Sequence, residues 1–89
     1  MDLQNKTIVI TGAARGLGAA MAQRLAGHGT KLALVDLQAD SLGDCAAACE
    51  AAGATVKTYG ANVSQEADVT ALFNQVVADF GALDGLINN

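Results

Sequence analysis

The sequence has few of the residues that build metal sites or bind nucleic acids. It contains two cysteines and one histidine, and no cluster of His, Cys, Asp or Glu stands at ligand spacing, so it predicts no metal site. Five basic residues against nine acidic ones give a net charge of −4, which argues against binding to nucleic-acid phosphates. No apolar run approaches the roughly 18 residues of a membrane span. The sequence therefore predicts neither a nucleic-acid partner nor a membrane segment.

The cysteines and the N-terminus predict the compartment. Cys45 and Cys49 lie four residues apart in a predicted helix, and we interpret them as small buried side chains, with a redox pair as the alternative. Residues 1–10 lead into a short apolar run but lack the cleavage site of a signal peptide. Both features are typical of a cytoplasmic protein.

Residues 1–89 predict one small domain, or part of one, in which strands and helices alternate. With 52% hydrophobic and 16% charged residues, the chain is too apolar for disorder and rich enough for a packed core. No proline occurs, so glycines mark most of the turns. Alternation of this kind predicts an α/β fold with a parallel sheet. Short apolar runs predict strands over residues 6–11, 31–36, 55–61 and 84–88, the third being a more exposed edge strand.

Three segments between the strands have helical periodicity. In the first, Leu17, Met21, Leu25 and the intervening alanines form the apolar stripe. In the second, Gly43 lowers helix stability by about 1 kcal/mol relative to alanine, so the start of that helix is loosely defined. Ser64 is expected to cap the third. The predicted helices cover residues 16 to about 26, about 39–52, and 65–80.

The segment between the first strand and the first helix is rich in glycine. Gly12 permits a tight turn, Gly16 lets a pyrophosphate approach the backbone, and Gly18 lets the helix pack closely on the sheet. The N–H groups of Gly16 and Leu17 at the helix start would face the anion. No Gly-Lys-Ser/Thr follows, which excludes a P-loop. A plain turn is the alternative, but the position between a buried strand and a helix favours a dinucleotide-binding loop.

Asp36 closes the second strand, 18 residues after Gly18, near the spacing at which an acidic residue meets the adenosine ribose. Its carboxylate can accept hydrogen bonds from both ribose hydroxyls and would repel a 2′-phosphate, which favours NAD over NADP. Arg15 is a conflicting signal, because a guanidinium in the loop could bind that phosphate. We give the acid more weight and predict NAD as the cofactor; a solvated carboxylate at a strand end is the alternative.

Four features follow one another along the chain: Thr11-Gly12-x-x-x-Gly16-x-Gly18, Asp36, Asn62-Val63 after the third strand, and Asn88-Asn89 at the end of the fourth. Together they resemble the N-terminal part of a short-chain dehydrogenase/reductase, and the resemblance covers essentially all 89 residues. Within the family, the chain is similar to the 3-oxoacyl-[acyl-carrier-protein] reductases and to related alcohol or polyol dehydrogenases. The usual NADP preference of the acyl reductases conflicts with Asp36.

The resemblance implies a fold and further site residues. The fold would be a Rossmann-like half-domain, βαβαβαβ with strand order 3-2-1-4 and helices on both faces of the sheet. Asn62 would meet the exocyclic amine of the adenine beside the Val63 backbone, although a turn residue before a helix is the alternative for Asn62. Asn89 would lie beside the cofactor ribose, and Asn88 would tie the fourth strand to its neighbours. Complete family members transfer hydride between NAD(P) and an alcohol or carbonyl substrate.

The catalytic residues of the family have no counterpart in this sequence. Its catalysis rests on Tyr-x-x-x-Lys with a preceding serine, whereas Tyr59 is the only tyrosine here and Val63 stands four residues after it. We therefore expect no catalytic residue and no activity of this chain alone. A non-catalytic nucleotide-binding module and a folding fragment are the alternatives. A bare sheet edge at the fourth strand and uncovered apolar surface predict a homo-oligomer.

Overall fold

The computed structural model describes residues 2–89 and contains one four-stranded parallel sheet with helices on both faces. The strands lie in the order β3-β2-β1-β4, which confirms the expected fold and topology. No helix within residues 2–89 is long and apolar enough to cross a membrane. The strands are β1 (Thr7–Thr11), β2 (Lys31–Asp36), β3 (Thr55–Gly60) and β4 (Gly85–Ile87). The helices are α1 (Gly16–Ala26), α2 (Gly43–Ala51) and α3 (Glu66–Phe80), with a 3₁₀ turn, Ala39–Leu42, before α2.

The two central strands are buried on both faces of the sheet. All five residues of β1 are buried, as are residues 32–35 of β2. Alternation along β1 directs Ile8 and Ile10 toward the core under α1 and α2, and Val9 toward the core under α3. The edge strand β3 is largely exposed, as its alternating sequence predicted. The sheet thus separates two hydrophobic cores and holds the segments after its strands on a rigid base.

The apolar stripe predicted for α1 lies on a helix, but its small residues and not its large side chains are buried. The buried residues of this helix are the small ones, Gly18, Ala22 and Ala26, whereas Leu17 is 67% exposed. Small side chains allow a helix to approach its neighbour closely, because the spacing depends on the side chains at the contact. The larger side chains instead line an apolar groove of about 360 Å³ next to β4, formed by Leu17, Ala20, Met21, Arg24, Leu25 and Ile87.

Two helix starts also differ from their predictions. The segment predicted as one helix from residue 39 begins as a 3₁₀ turn and becomes α-helical only at Gly43. Ser64 does not cap α3, because Gln65 is the N-cap residue and the N–H and hydroxyl of Ser64 both donate to Oδ1 of Asn62. A local side-chain turn has therefore replaced the cap, an alternative that Asn and Ser commonly offer the backbone.

The cysteines of α2 have the environment predicted for them. Cys45 and Cys49 are free thiols that face the core with 3% and 0% of their surface exposed. Burial raises the pKa of both thiols, and that of Cys49 rises to about 12. Because the thiolate is the reactive form, burial and the raised pKa disfavour reaction of either thiol in the folded chain.

The strand β4 is shorter than predicted and pairs with β1. Asp84, predicted to belong to it, instead forms a pair of hydrogen bonds with Thr7 at the start of β1. The Thr7 N–H donates to Asp84 Oδ2, and the Asp84 N–H donates to the Thr7 carbonyl, each at 2.8 Å. This clamp aligns β4 with β1 and so determines where the residues after β4 lie.

Candidate functional site

A cavity of about 260 Å³ opens at the carboxyl ends of the strands. After β1, the chain crosses to β2 on one side of it, and after β3 it crosses back to β4 on the other side. The order of the strands therefore reverses at β1. Open α/β sheets bind ligands at such a switch point. Five of the predicted cofactor-binding residues come together here, among the lining residues Gly12, Val35, Asp36, Leu37, Ala61, Asn62, Val63 and Asn89.

The other four predicted residues, Arg15, Gly16, Leu17 and Gly18, do not line this cavity but form the start of α1. Arg15 is the N-cap residue and has an extended backbone. The first turn of an α-helix leaves its N–H groups without intrahelical partners, and no side-chain hydrogen bond caps α1 within residues 2–89. The N–H groups of Gly16 and Leu17 are thus available to an anion, with the positive end of the helix behind them.

The loop conformation requires glycine at two positions. Gly12 and Gly16 have φ angles of 64° and 62°, in the left-handed region that residues with a Cβ rarely adopt. A Cβ built on Gly16 would have none of the described atoms within 4 Å, so the space beside this backbone is open. This open space next to available N–H groups fits the close approach of a pyrophosphate.

Gly18 is needed because the loop and the end of β4 pack directly against it. A Cβ there would overlap the carbonyl oxygen of Gly12 and lie 2.8 Å from Nδ2 of Asn89. A Cβ on Gly12 would lie 2.9 Å from the same amide nitrogen. The close approach expected at Gly18 is therefore an approach to the loop and to Asn89.

The Asp36 carboxylate lies at the end of β2 and is bound by two backbone N–H groups. Its Oδ2 accepts a hydrogen bond from the Ala14 N–H at 3.0 Å, and its Oδ1 accepts one from the Leu37 N–H at 2.8 Å. Each carboxylate oxygen has two lone pairs, so both oxygens can still accept a ribose hydroxyl. The bond from the loop was not indicated by the sequence, which placed Asp36 at the ribose alone.

The hydrogen bonds of Asn62 determine how its side chain can meet a base. Its Oδ1 accepts from the Ser64 N–H at 3.1 Å and from the Ser64 hydroxyl at 2.6 Å, which uses both lone pairs. Its backbone N–H donates to Asp68 Oδ2 at 3.0 Å. The side-chain amide can therefore offer its NH₂ group to a ring nitrogen, whereas the expected acceptance from the exocyclic amine is disfavoured.

Thr11 is a site-forming residue that carried no assigned role in the sequence. Its hydroxyl donates to Asn88 Oδ1 at 3.1 Å and accepts from the Asn89 N–H at 3.1 Å. The Asn89 side chain in turn donates to the Gly12 carbonyl at 3.3 Å. The expected tie of Asn88 to a neighbouring strand thus runs through Thr11. The available signal was a hydroxyl residue directly before the glycine loop.

Tyr59 does not line this cavity; it lies on β3 and packs against the core under α3. Its hydroxyl donates to Asp79 Oδ2 at 2.7 Å. Burial, followed by this bond, raises the pKa of Tyr59, and the same bond is the main cause that lowers the pKa of Asp79. A tyrosine that exchanges a proton near neutral pH needs the opposite shift. Within the described residues, no group of three or more His, Cys, Asp or Glu could hold a metal ion.

Comparison with known proteins agrees with the fold. The 2-(S)-hydroxypropyl-CoM dehydrogenase 3 of Xanthobacter autotrophicus is 39% identical over 87 residues, which are 98% of this chain and 34% of that protein. A crystal structure of NAD⁺-bound xylitol dehydrogenase has a TM-score of 0.90 at 34% identity, covering 97% of this chain and 33% of the other.

A short chain dehydrogenase/reductase from Burkholderia phymatum in complex with NAD has a TM-score of 0.88 at 36% identity, covering 97% of this chain and 31% of the other. This chain thus spans about a third of the length of the proteins it matches. The family model for short chain dehydrogenases matches residues 6–89. The chain therefore belongs to the short-chain dehydrogenase/reductase family.

Proposed function

We propose that this chain binds NAD(H) as the cofactor-binding part of an oxidoreductase. The observation that carries the proposal is the single cavity, at the switch point of the sheet, that unites Gly12, Asp36, Asn62, Val63 and Asn89. Two structures described with NAD, the xylitol dehydrogenase and the Burkholderia enzyme, are 34% and 36% identical to this chain over the aligned residues, which are 33% and 31% of those chains. When bound, the nicotinamide would supply the hydride chemistry.

The residues of this chain would contact four parts of the cofactor. The N–H groups of Gly16 and Leu17 would bind the pyrophosphate, which the open side of Gly16 admits. Asp36 would accept hydrogen bonds from the adenosine ribose. Asn62 and the Val63 backbone would contact the adenine. By resemblance, Asn89 would lie beside the second ribose.

The positions of the two charged residues favour NAD over NADP. Asp36 lines the cavity, so a 2′-phosphate would bring negative charge to a carboxylate. Arg15 is exposed and outside the lining, where its guanidinium is not directed by a hydrogen bond among residues 2–89. The repulsion is therefore built into the cavity, while attraction by Arg15 would require its side chain to order on binding.

The activity proposed for a whole protein is hydride transfer between NAD(H) and an alcohol or carbonyl substrate. Residues 1–89 would act in it as one nucleotide-binding unit, and the tyrosine and lysine of the family would lie outside them. The 3-oxoacyl substrate rests on the sequence resemblance alone. The buried free thiols of Cys45 and Cys49 suit a cytoplasmic protein, and exposed apolar groups on α1 and β4 suit a homo-oligomer.

The test is calorimetric titration of the chain with NAD and then with NADP at one ionic strength. We expect saturable NAD binding, weaker NADP binding, and a loss of about tenfold or more in NAD affinity for Asp36→Ala, as for a hydrogen bond to a charged group. The matched control is Asp44→Ala, which removes an exposed aspartate of α2 and should leave affinity unchanged.

The other outcomes identify the alternatives. Tighter binding of NADP would show that Arg15 outweighs Asp36. Binding of both dinucleotides without any effect of Asp36→Ala would place the nucleotide elsewhere on the chain. Absence of binding by a folded chain would favour the folding-fragment interpretation and reject the proposal for residues 1–89 on their own.

A further inference from the structure

The first half of the glycine loop is attached to the end of β2 by two successive hydrogen bonds. The Ala13 N–H donates to the Val35 carbonyl at 3.0 Å, and the Ala14 N–H donates to Asp36 Oδ2 at 3.0 Å. The second bond joins residues 22 apart in sequence. Asp36 thus contacts the loop directly, without a nucleotide between them.

This attachment matters because the loop has a glycine with positive φ on each side of Ala14. Ala14 stands between Gly12 and Gly16, which both have positive φ and can each adopt many other conformations. A hydrogen bond from a backbone N–H to a carboxylate is stronger than one between neutral groups. The Ala14 bond therefore restricts the segment that leads to the N–H groups of Gly16 and Leu17.

We propose that Asp36 is a positioning residue for the phosphate-binding loop in addition to an acceptor for the ribose. The inference rests on the proposed function, since it concerns the same nucleotide site. Asp36 Oδ1 is held by the Leu37 N–H at 2.8 Å, so the carboxylate plane is fixed from both sides. One side chain then couples the ribose end of the site to the diphosphate end.

The consequence concerns ligands that have no ribose hydroxyls. If Asp36 acted through the ribose alone, its removal would not change their affinity. If Asp36 also orders the loop, its removal weakens the binding of every ligand that carries the diphosphate. Exchange of Asp36 for a small neutral residue would then weaken diphosphate binding in general, besides removing the repulsion of a 2′-phosphate.

The experiment compares ADP with 2′,3′-dideoxy-ADP, which keeps the adenine and the diphosphate. Both are titrated into the full chain and into Asp36→Ala, Asp36→Asn and the control Asp44→Ala. We expect Asp36→Ala to lower the affinity for ADP by about tenfold or more and the affinity for 2′,3′-dideoxy-ADP by about threefold or more. Asp36→Asn should fall between, because an amide can accept from only one of the two N–H groups.

Unchanged affinity for 2′,3′-dideoxy-ADP in both variants, with weakened ADP binding, would overturn the positioning role and leave the proposed function intact. Should the unsubstituted chain bind neither ligand, the proposed function fails and amide exchange decides the inference separately. The Ala14 N–H should exchange faster in Asp36→Ala than in Asp44→Ala, and equal rates would reject the positioning role. Asp36→Leu has a side chain of similar size and no acceptor, so it replaces Asp36→Ala in the exchange measurement if that variant does not fold.

Discussion

The hydroxyl of Tyr59 donates a hydrogen bond to Oδ2 of Asp79 at 2.7 Å, which links the edge strand β3 to the last turn of α3. Gln75 donates to the other oxygen of the same carboxylate at 3.0 Å, and Lys57 lies 3.9 Å from it. This cluster of polar groups borders the core under α3. Asp79 and Tyr59 titrate in different pH ranges, so the free energy of unfolding depends on pH on both the acid and the alkaline side.

We predict that the Tyr59–Asp79 hydrogen bond contributes most to the free energy of unfolding near neutral pH. The folded pKa of Asp79 lies below the ordinary 3.8, so its contribution is present above that pH and lost as the pH falls through the folded pKa. The folded pKa of Tyr59 lies above the ordinary 10.0, so its contribution is present below that pH and lost as the pH rises through the folded pKa.

The measurement is urea unfolding of the chain and of Tyr59→Phe from acid to alkaline pH. The difference in unfolding free energy should form a plateau between about pH 5 and 9 and decline on both sides. The control is Asn74→Ala on the exposed face of α3, which should give a difference without pH dependence. A constant difference for Tyr59→Phe across the range would contradict the coupling.

Gly18→Ala should destabilise the chain, because the added Cβ would overlap the Gly12 carbonyl and crowd the Asn89 side chain. Overpacking of this kind costs about 1–3 kcal/mol in unfolding free energy. Gly43→Ala is the matched control, since a Cβ at that helical position meets no described atom within 4 Å. It should stabilise the chain by about 0.5–1 kcal/mol. The measurement is urea unfolding of both variants. Equal changes in the urea midpoint for Gly18→Ala and Gly43→Ala would refute the packing role of Gly18.

Asp84→Ala should weaken the alignment of β4 with β1. Thr7 is 1% exposed, so its N–H would lose its acceptor in a place that water does not readily reach. We expect a loss of about 1–3 kcal/mol in unfolding free energy, and a smaller loss for Asp84→Asn, which keeps a carbonyl acceptor. If urea unfolding shows no greater loss for Asp84→Ala than for Asp44→Ala, the clamp contributes nothing.

Association should depend on the apolar groups beside the outer edge of the sheet. Leu17 on α1 is 67% exposed and Leu86 on β4 is 49% exposed. We expect a homo-oligomer in sedimentation experiments at micromolar concentration, and dissociation in Leu17→Gln with Leu86→Gln. Leu37→Gln, at a 63% exposed site after the central strand β2, is the control that should not dissociate. A monomeric unsubstituted chain at that concentration would disprove this expectation.

Short-range patterns predicted most of the elements because their causes are local. Consecutive apolar residues marked β1 and β2, and helical periodicity marked α3. The same patterns marked α1 as a helix but did not show that its buried residues are Gly18, Ala22 and Ala26. Periodicity identifies an apolar stripe, but the distance between a helix and its sheet determines which side chains fit between them.

The candidate site was predictable as a set of positions. Gly12, Asp36 and Asn62 each follow closely on a strand or end one, and parallel strands bring such positions to the same edge of the sheet. Their hydrogen-bond partners were not predictable. Asn62 accepts a hydrogen bond from the hydroxyl of Ser64, the same hydroxyl that was expected to cap α3.

The order of strands and helices, and the polar or glycine residues at each strand end, follow from the amino-acid sequence because they depend on neighbours along the chain. Which of those residues meet depends on the folded sheet. The bonds of Asp36 with Ala14 and of Thr7 with Asp84 span 22 and 77 residues. Such bonds depend on strand register and loop conformation, and both exist only once the whole sheet has assembled.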